Sequence, residues 1–82
     1  MSENGHDLHA LFPAHTEILH RLKIDSEHYR ALAARHHDLV LEIDRIEAGL
    51  EAASDERLEE LKKQRLAVLD DIAEMIAERT SS

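Results

Sequence analysis

The chain has no cysteine and no tryptophan, one phenylalanine, one tyrosine, one proline and two glycines. Each shortage excludes something. Without cysteine there is no disulfide staple and no Cys-based zinc or iron–sulfur site. With two aromatic rings there is no stacking platform for single-stranded nucleic acid. Gly5 and Gly49 are too few and too scattered to build a phosphate-cradling loop. Basic charge is also short: 10 Lys and Arg stand against 18 Asp and Glu, a formal net charge of −8. Phosphate backbones are repelled by that balance, and a nucleic-acid partner is not expected. No run approaches the roughly 18 apolar residues of a membrane span. The opening residues carry neither a basic start nor an apolar stretch of signal-peptide length, so a cytoplasmic protein is expected. The polar faces are mixed to acidic, which disfavours docking onto an anionic membrane surface.

What is present is a heptad. Tyr29, Leu32, Leu39, Ile43, Ile46 and Leu50 fall at spacings of three, seven and four. Leu58, Leu61, Val68, Ile72 and Met75 repeat the beat. Such spacing predicts two long helices zipped against each other. The link between them is short, which forces the second back alongside the first. The fold class is all-α: an antiparallel coiled-coil hairpin with a short N-terminal helical segment. Eighty-two residues hold one domain at most, read as a tail over 1–6, a helical domain over 7–79 and a tail over 80–82. A chain this short buries only about 60% of its unfolded surface. Self-association is one of the few remaining sources of stability, and a homo-oligomer is expected.

Local signals set the boundaries. Asp7 caps a short first helix with Leu8, Leu11 and Phe12. Phe12 precedes a proline and avoids the α region, so the chain breaks there. Pro13 then opens a helix over 13–23. Leu8, Leu11, His15, Ile18 and Leu22 keep heptad spacing across the proline, and a kinked continuous helix is the alternative. Asp25 is read as the N-cap of the next helix, 26–48, with Ile24 and Tyr29 as a hydrophobic staple. Gly49 sits where a left-handed residue ends a helix. Ser54 caps the last helix, 55–79, with Asp55 and Glu56 at the positive end of its dipole.

A register follows. If Ile46 faces Leu58, the layers are Ile43–Leu61, Leu39–Arg65, His36–Val68, Leu32–Ile72 and Tyr29–Met75. His36 and Arg65 are polar members of the seam. Arg65 is expected to reach out to Glu42 or solvent, and His36 to sit neutral at the seam edge. A second apolar stripe, Ala33, Val40, Leu69 and Ile76, lies one position beyond the core. The N-terminal segment is the natural cover for it, on its own hairpin or on a second chain. Leu41 and Leu66 point further round and stay wet on a monomer. Leu41, Leu66, Leu69 and Ile76 are therefore the candidate interaction surface.

Chemistry-bearing residues are scattered. His6 and His9, at i, i+3, are weak candidate metal ligands with no third ligand at a fixed offset. His36 and His37 point about 100° apart on a helix and cannot share an ion. Carboxylate pairs such as Asp55/Glu59 and Asp38/Glu42 lie on exposed faces, where nothing splits their pKa values. Glu59–Lys63 and Glu60–Lys63 are ordinary surface pairs. No enzyme and no cofactor is expected. The leading expectation is a non-enzymatic interaction or scaffolding module; the alternative is a metal- or pH-responsive protein built on the N-terminal histidines. Protonating all seven histidines takes the formal charge from −8 to −1, which lowers solubility toward pH 5.

Several stretches in order resemble the YdcH-like family of small bacterial proteins. They are Asp7-Leu8-His9 with Phe12-Pro13; Ile18-x-x-x-Leu22-Lys23; His37-Asp38-Leu39; Glu42-Ile43-x-x-Ile46-Glu47-x-Gly49; and Ser54-Asp55-Glu56-x-Leu58 through Leu66. The resemblance implies a short coiled-coil hairpin, a cytoplasmic location and no known function. It supplies no catalytic or ligand residue.

Overall fold

The structure, a computed structural model, describes the backbone of residues 6–80 and the side chains of 8–80. Four α-helices and one 3-10 turn follow in order: α1 (His6–Leu11), the turn (Pro13–His15), α2 (Thr16–Asp25), α3 (Glu27–Glu47) and α4 (Asp55–Thr80). The fold is all-α, and α3 and α4 pack as a hairpin. Its long dimension of 44 Å reflects α4, whose 26 residues rise about 39 Å. Of the expected tails over 1–6 and 80–82, residues 1–5, Ser81 and Ser82 lie outside the described residues, as does the side chain of Asp7. His6 already opens α1, so that Asp7 stands inside that helix rather than capping it, and Thr80 still belongs to α4.

Each helix end has a physical cause. Phe12 leaves the helical region (φ −125°, ψ 63°), as a residue before proline must. Pro13 opens the 3-10 turn, where its missing N–H costs nothing. The chain there is broken rather than kinked, and α2 starts at Thr16 instead of Pro13. At the other end of the hairpin α3 closes in a Schellman motif. Leu50 N–H donates to Arg45 C=O at 2.9 Å and Gly49 N–H to Ile46 C=O at 3.1 Å. Gly49 takes φ +80°, the left-handed conformation expected of it. Ser54 Oγ accepts from Arg57 N–H at 3.0 Å and caps α4.

The cap of α3 is a correction. Ser26, not Asp25, is the N-cap, its Oγ accepting from Tyr29 N–H at 3.0 Å. Asp25 is instead the last residue of α2, and Arg79 donates to its carboxylate at 3.1 Å. With the cap moved by one residue, Arg30 rather than Tyr29 takes the fourth helical position. Its guanidinium reaches back to the carbonyls of Lys23 and Ile24, at 2.8 and 3.2 Å. No hydrophobic staple forms, and Ile24 faces solvent.

The register is fixed by polar pairs beside the seam. With Ile46 opposite Leu58, an antiparallel pair brings together the residues preceding each seam position. Glu42 and Arg57 are such residues, and they pair at 3.1 Å. Arg35 and Gln64 repeat the relation further along. On the opposite flank the residues following seam positions meet: Glu47 and Lys62, at 3.1 Å. All three pairs require the register of the six layers. Glu42 is thereby taken by Arg57, not by Arg65.

The two flanks differ in character. One carries Glu42, Arg57, Arg35 and Gln64. The other carries Glu47–Lys62 near the turn and then Val40, Leu69, Ala33 and Ile76. This second flank is the one the N-terminal arm, residues 6–25, covers toward the open end. Helix α2 packs on both α3 and α4. Leu8, Leu19 and Leu22 are buried in one cluster with Tyr29, Ala33, Ile72 and Ile76. The arm therefore folds back on its own hairpin in this structure. The core is a two-helix seam near the turn and a three-helix core at the open end.

Candidate interaction surface

The candidate residues separate cleanly. Leu66 is 59% exposed and Leu41 is 41% exposed. Leu69 is half-buried. Ile76 is 4% exposed and belongs to the core, so it leaves the candidate surface. The arm supplies the missing cover: Phe12 and His15 lie across from Ala73, Ile76 and Ala77 on α4. Leu11, Ile24 and Leu50 are further large apolar residues that face solvent.

Leu41 and Leu66 lie at one height. Val40 and Leu69 both follow seam positions, so the register sets them against each other on the apolar flank. Leu41 adjoins Val40 along α3, and Leu66 is one helical turn before Leu69 along α4. The four make a band across the hairpin with exposed leucines at its two edges. The edges differ in charge. Within one turn of Leu41 stand Asp38 and Asp44 with Arg45; within one turn of Leu66 stand Lys62 and Lys63 with Asp70, so the first edge is net acidic and the second net basic.

The polar seam is deeper than expected. His36 is 1% exposed, fully inside rather than at the seam edge. The register places it against Val68, a short side chain that leaves room for an imidazole. Arg65 is half-buried, consistent with a long side chain leaving the seam. Tyr29 is buried as completely as His36, and desolvation of its phenolate raises its pKa above 10.0.

The histidines do not converge. His9 is half-buried on α1, and the side chain of His6 lies outside the described residues. Among the described residues no group of three or more His, Asp or Glu comes together to hold a metal ion. A shallow depression along Asp55–Lys63 is lined by one helix alone, by Leu58 together with acidic and lysine residues. A smaller one lies where Leu22 and Ser26 meet Met75 and Arg79. No helix among the described residues is long and apolar enough to cross a membrane. Sequence reasoning missed Arg30. The signal for it was a cationic side chain four residues after a serine cap, within reach of the carbonyls that end the preceding helix.

A family model matches residues 30–76, more than half of the chain and nearly the whole seam. The chain belongs to DUF465, a protein family of unknown function. The DUF465 match begins one residue after Tyr29 and ends at Ile76, so it takes in most of both hairpin helices and leaves out the arm. No curated protein matches the chain, and no solved structure does.

Proposed function

We propose that this DUF465 chain is a non-enzymatic protein–protein interaction module of the YdcH-like type, acting in the cytoplasm, which self-associates through a helical face and scaffolds another protein. The observation that carries the reading is the band from Leu41 through Val40 and Leu69 to Leu66, exposed at both edges and continuous across the two long helices, whereas the other exposed large apolar residues, Leu11, Ile24 and Leu50, stand at or next to helix ends. Leucine in water at two places on one level is a surface waiting for a helix face. The edges complement each other. In a two-fold pair the lysine-flanked Leu66 of one copy meets the aspartate-flanked Leu41 of the other, and the contact occurs twice.

The test is the oligomeric mass of Leu66→Glu, by sizing chromatography with light scattering. Leu66 is outside the core, so the variant is expected to keep its helicity and to lose associated mass at equal concentration. A mass identical to that of the parent chain over the whole concentration range removes Leu66 from the interface and the reading with it.

A further inference from the structure

The joint between α2 and α3 is a single residue, Ser26, in extended conformation (φ −119°, ψ 112°). It interrupts the backbone but not the heptad. Counted back from Tyr29 and Leu32, the seam positions run through Leu22 and Asp25, His15 and Ile18, and Leu8 and Leu11. Leu22, Ile18 and Leu8 keep the phase across Ser26 and Pro13; Asp25 and Leu11 face solvent, and the buried Leu19 follows Ile18 as Ala33 follows Leu32. The turn at Gly49 behaves otherwise. Continued through it, the heptad would put Arg57 and Glu60 in the seam, whereas the seam residues are Leu58 and Leu61. One joint has slipped phase, as a permanent turn is free to do. The other has kept it, as one helix would.

The chemistry of the Ser26 joint agrees. It contains neither glycine nor proline, so nothing in the backbone forbids a helix there. A continuous helix would bond the N–H groups of Glu27, His28 and Tyr29 to the carbonyls of Lys23, Ile24 and Asp25. In the bent chain side chains stand in for these partners. The Arg30 guanidinium donates to the Lys23 and Ile24 carbonyls at 2.8 and 3.2 Å, and Ser26 Oγ accepts from Tyr29 N–H at 3.0 Å. The Arg79–Asp25 pair, 3.1 Å, ties the end of the arm to α4. Straightening the joint restores three backbone bonds and releases these side chains. Its one large loss is the seat of Leu8, Leu19 and Leu22 against Ala33, Ile72 and Ile76.

We propose that Ser26 is a hinge and that two copies of this chain exchange their arms, α2 and α3 of each joining into one helix from Thr16 to Glu47. The occupant of each vacated flank is the identical arm of the second copy. Every buried contact of the closed chain then recurs between copies, and only the hinge changes. This goes beyond association through Leu66 and does not rest on it, because exchange uses the buried flank and not the exposed band.

The native chain has no cysteine, so spin labels go on cleanly at Thr16→Cys and Asp44→Cys. Labelled chain is diluted into excess unlabelled chain, and the pulsed-resonance distance within one chain is read beside the mass. A straight helix puts the two sites about 42 Å apart, whereas a folded-back arm brings them much closer. We expect a dimer fraction carrying the long distance after refolding at high concentration. Adding Ser26→Ala with Arg30→Ala, which removes the stand-ins, should enlarge that fraction several-fold. Leu66→Glu should leave it unchanged. The short distance alone in both proteins at every concentration overturns the proposal. So does a dimeric mass with only the short distance, which would assign association to the outer face. Should the double variant fail to fold, the refolded parent chain decides by the same two readings.

Discussion

The two ends of the hairpin are made from the same heptad and end up different. At the turn, two helices share one seam. Ile46 and Leu58 are only half-buried there, and Leu50 is 79% exposed. Exposed ion pairs (Glu42–Arg57, Glu47–Lys62, Arg45–Glu51) and the Schellman bonds finish that end. At the open end the arm adds a third helix, and Leu8, Leu19, Leu22, Tyr29 and Ile72 are sealed from water. A two-helix seam leaves both flanks wet; a third helix closes one of them. The seam itself buries Leu39, Ile43 and Leu61 within the DUF465 match; the arm, outside that match, adds Leu8, Leu19 and Leu22 to the core at the open end.

Core truncation should separate the two ends most strongly. Ile72→Ala, at the sealed end, should cost about 3–4 kcal/mol. That is a large share of the roughly 4–12 kcal/mol available to a domain of this length. Leu58→Ala, at the turn end, should cost only about 1 kcal/mol, because its side chain is partly solvated already. Urea unfolding followed by circular dichroism measures both. Equal costs would erase the distinction between the ends.

A smaller effect belongs to the turn alone. Gly49→Ala should destabilise by about 1–2 kcal/mol through its left-handed backbone. Beyond its own chain neighbours, no atom lies within 4 Å of the added methyl group, so crowding from the rest of the fold contributes nothing. Unfolding midpoints of Gly49→Ala and Ala48→Gly side by side distinguish conformational strain at residue 49 from general softening of the turn.

The smallest effect is nil at neutral pH. Burial makes the Tyr29 phenolate costly, so the folded chain keeps its proton to higher pH than the unfolded chain does. The unfolded state loses that proton first, as pH rises past about 10, and stability falls from there up through the folded value. Below pH 10 the contribution is complete. Tyr29 is the lone tyrosine, so its ultraviolet titration is unambiguous. The absorbance change should appear together with unfolding, and Tyr29→Phe should flatten this alkaline limb. A phenolate forming while helicity is intact would show that the open end is not sealed.

The seam, its register, the break at Phe12 and the caps at Gly49 and Ser54 were legible because each is a local rule about spacing or a single residue's backbone. Asp25 and Ser26 show where such rules run out. Both residues are good caps; the structure uses Ser26, while Asp25 ends α2 and is held by Arg79, 54 residues away. His36 was read as an edge residue because a two-helix seam has edges everywhere; the packed chain buries it completely. Ile76 was read as exposed surface for the same reason. Leu41 and Leu66 stayed legible, since they lie beyond the reach of any helix in the chain.

The order of residues alone determined that this protein is a helical hairpin, how its two long helices are aligned and where each one stops, because periodicity and capping act within a turn or two of chain. Only the packed chain decided where the arm lies, which flank is sealed and which histidine goes under, because burial is set by what arrives from elsewhere in the sequence.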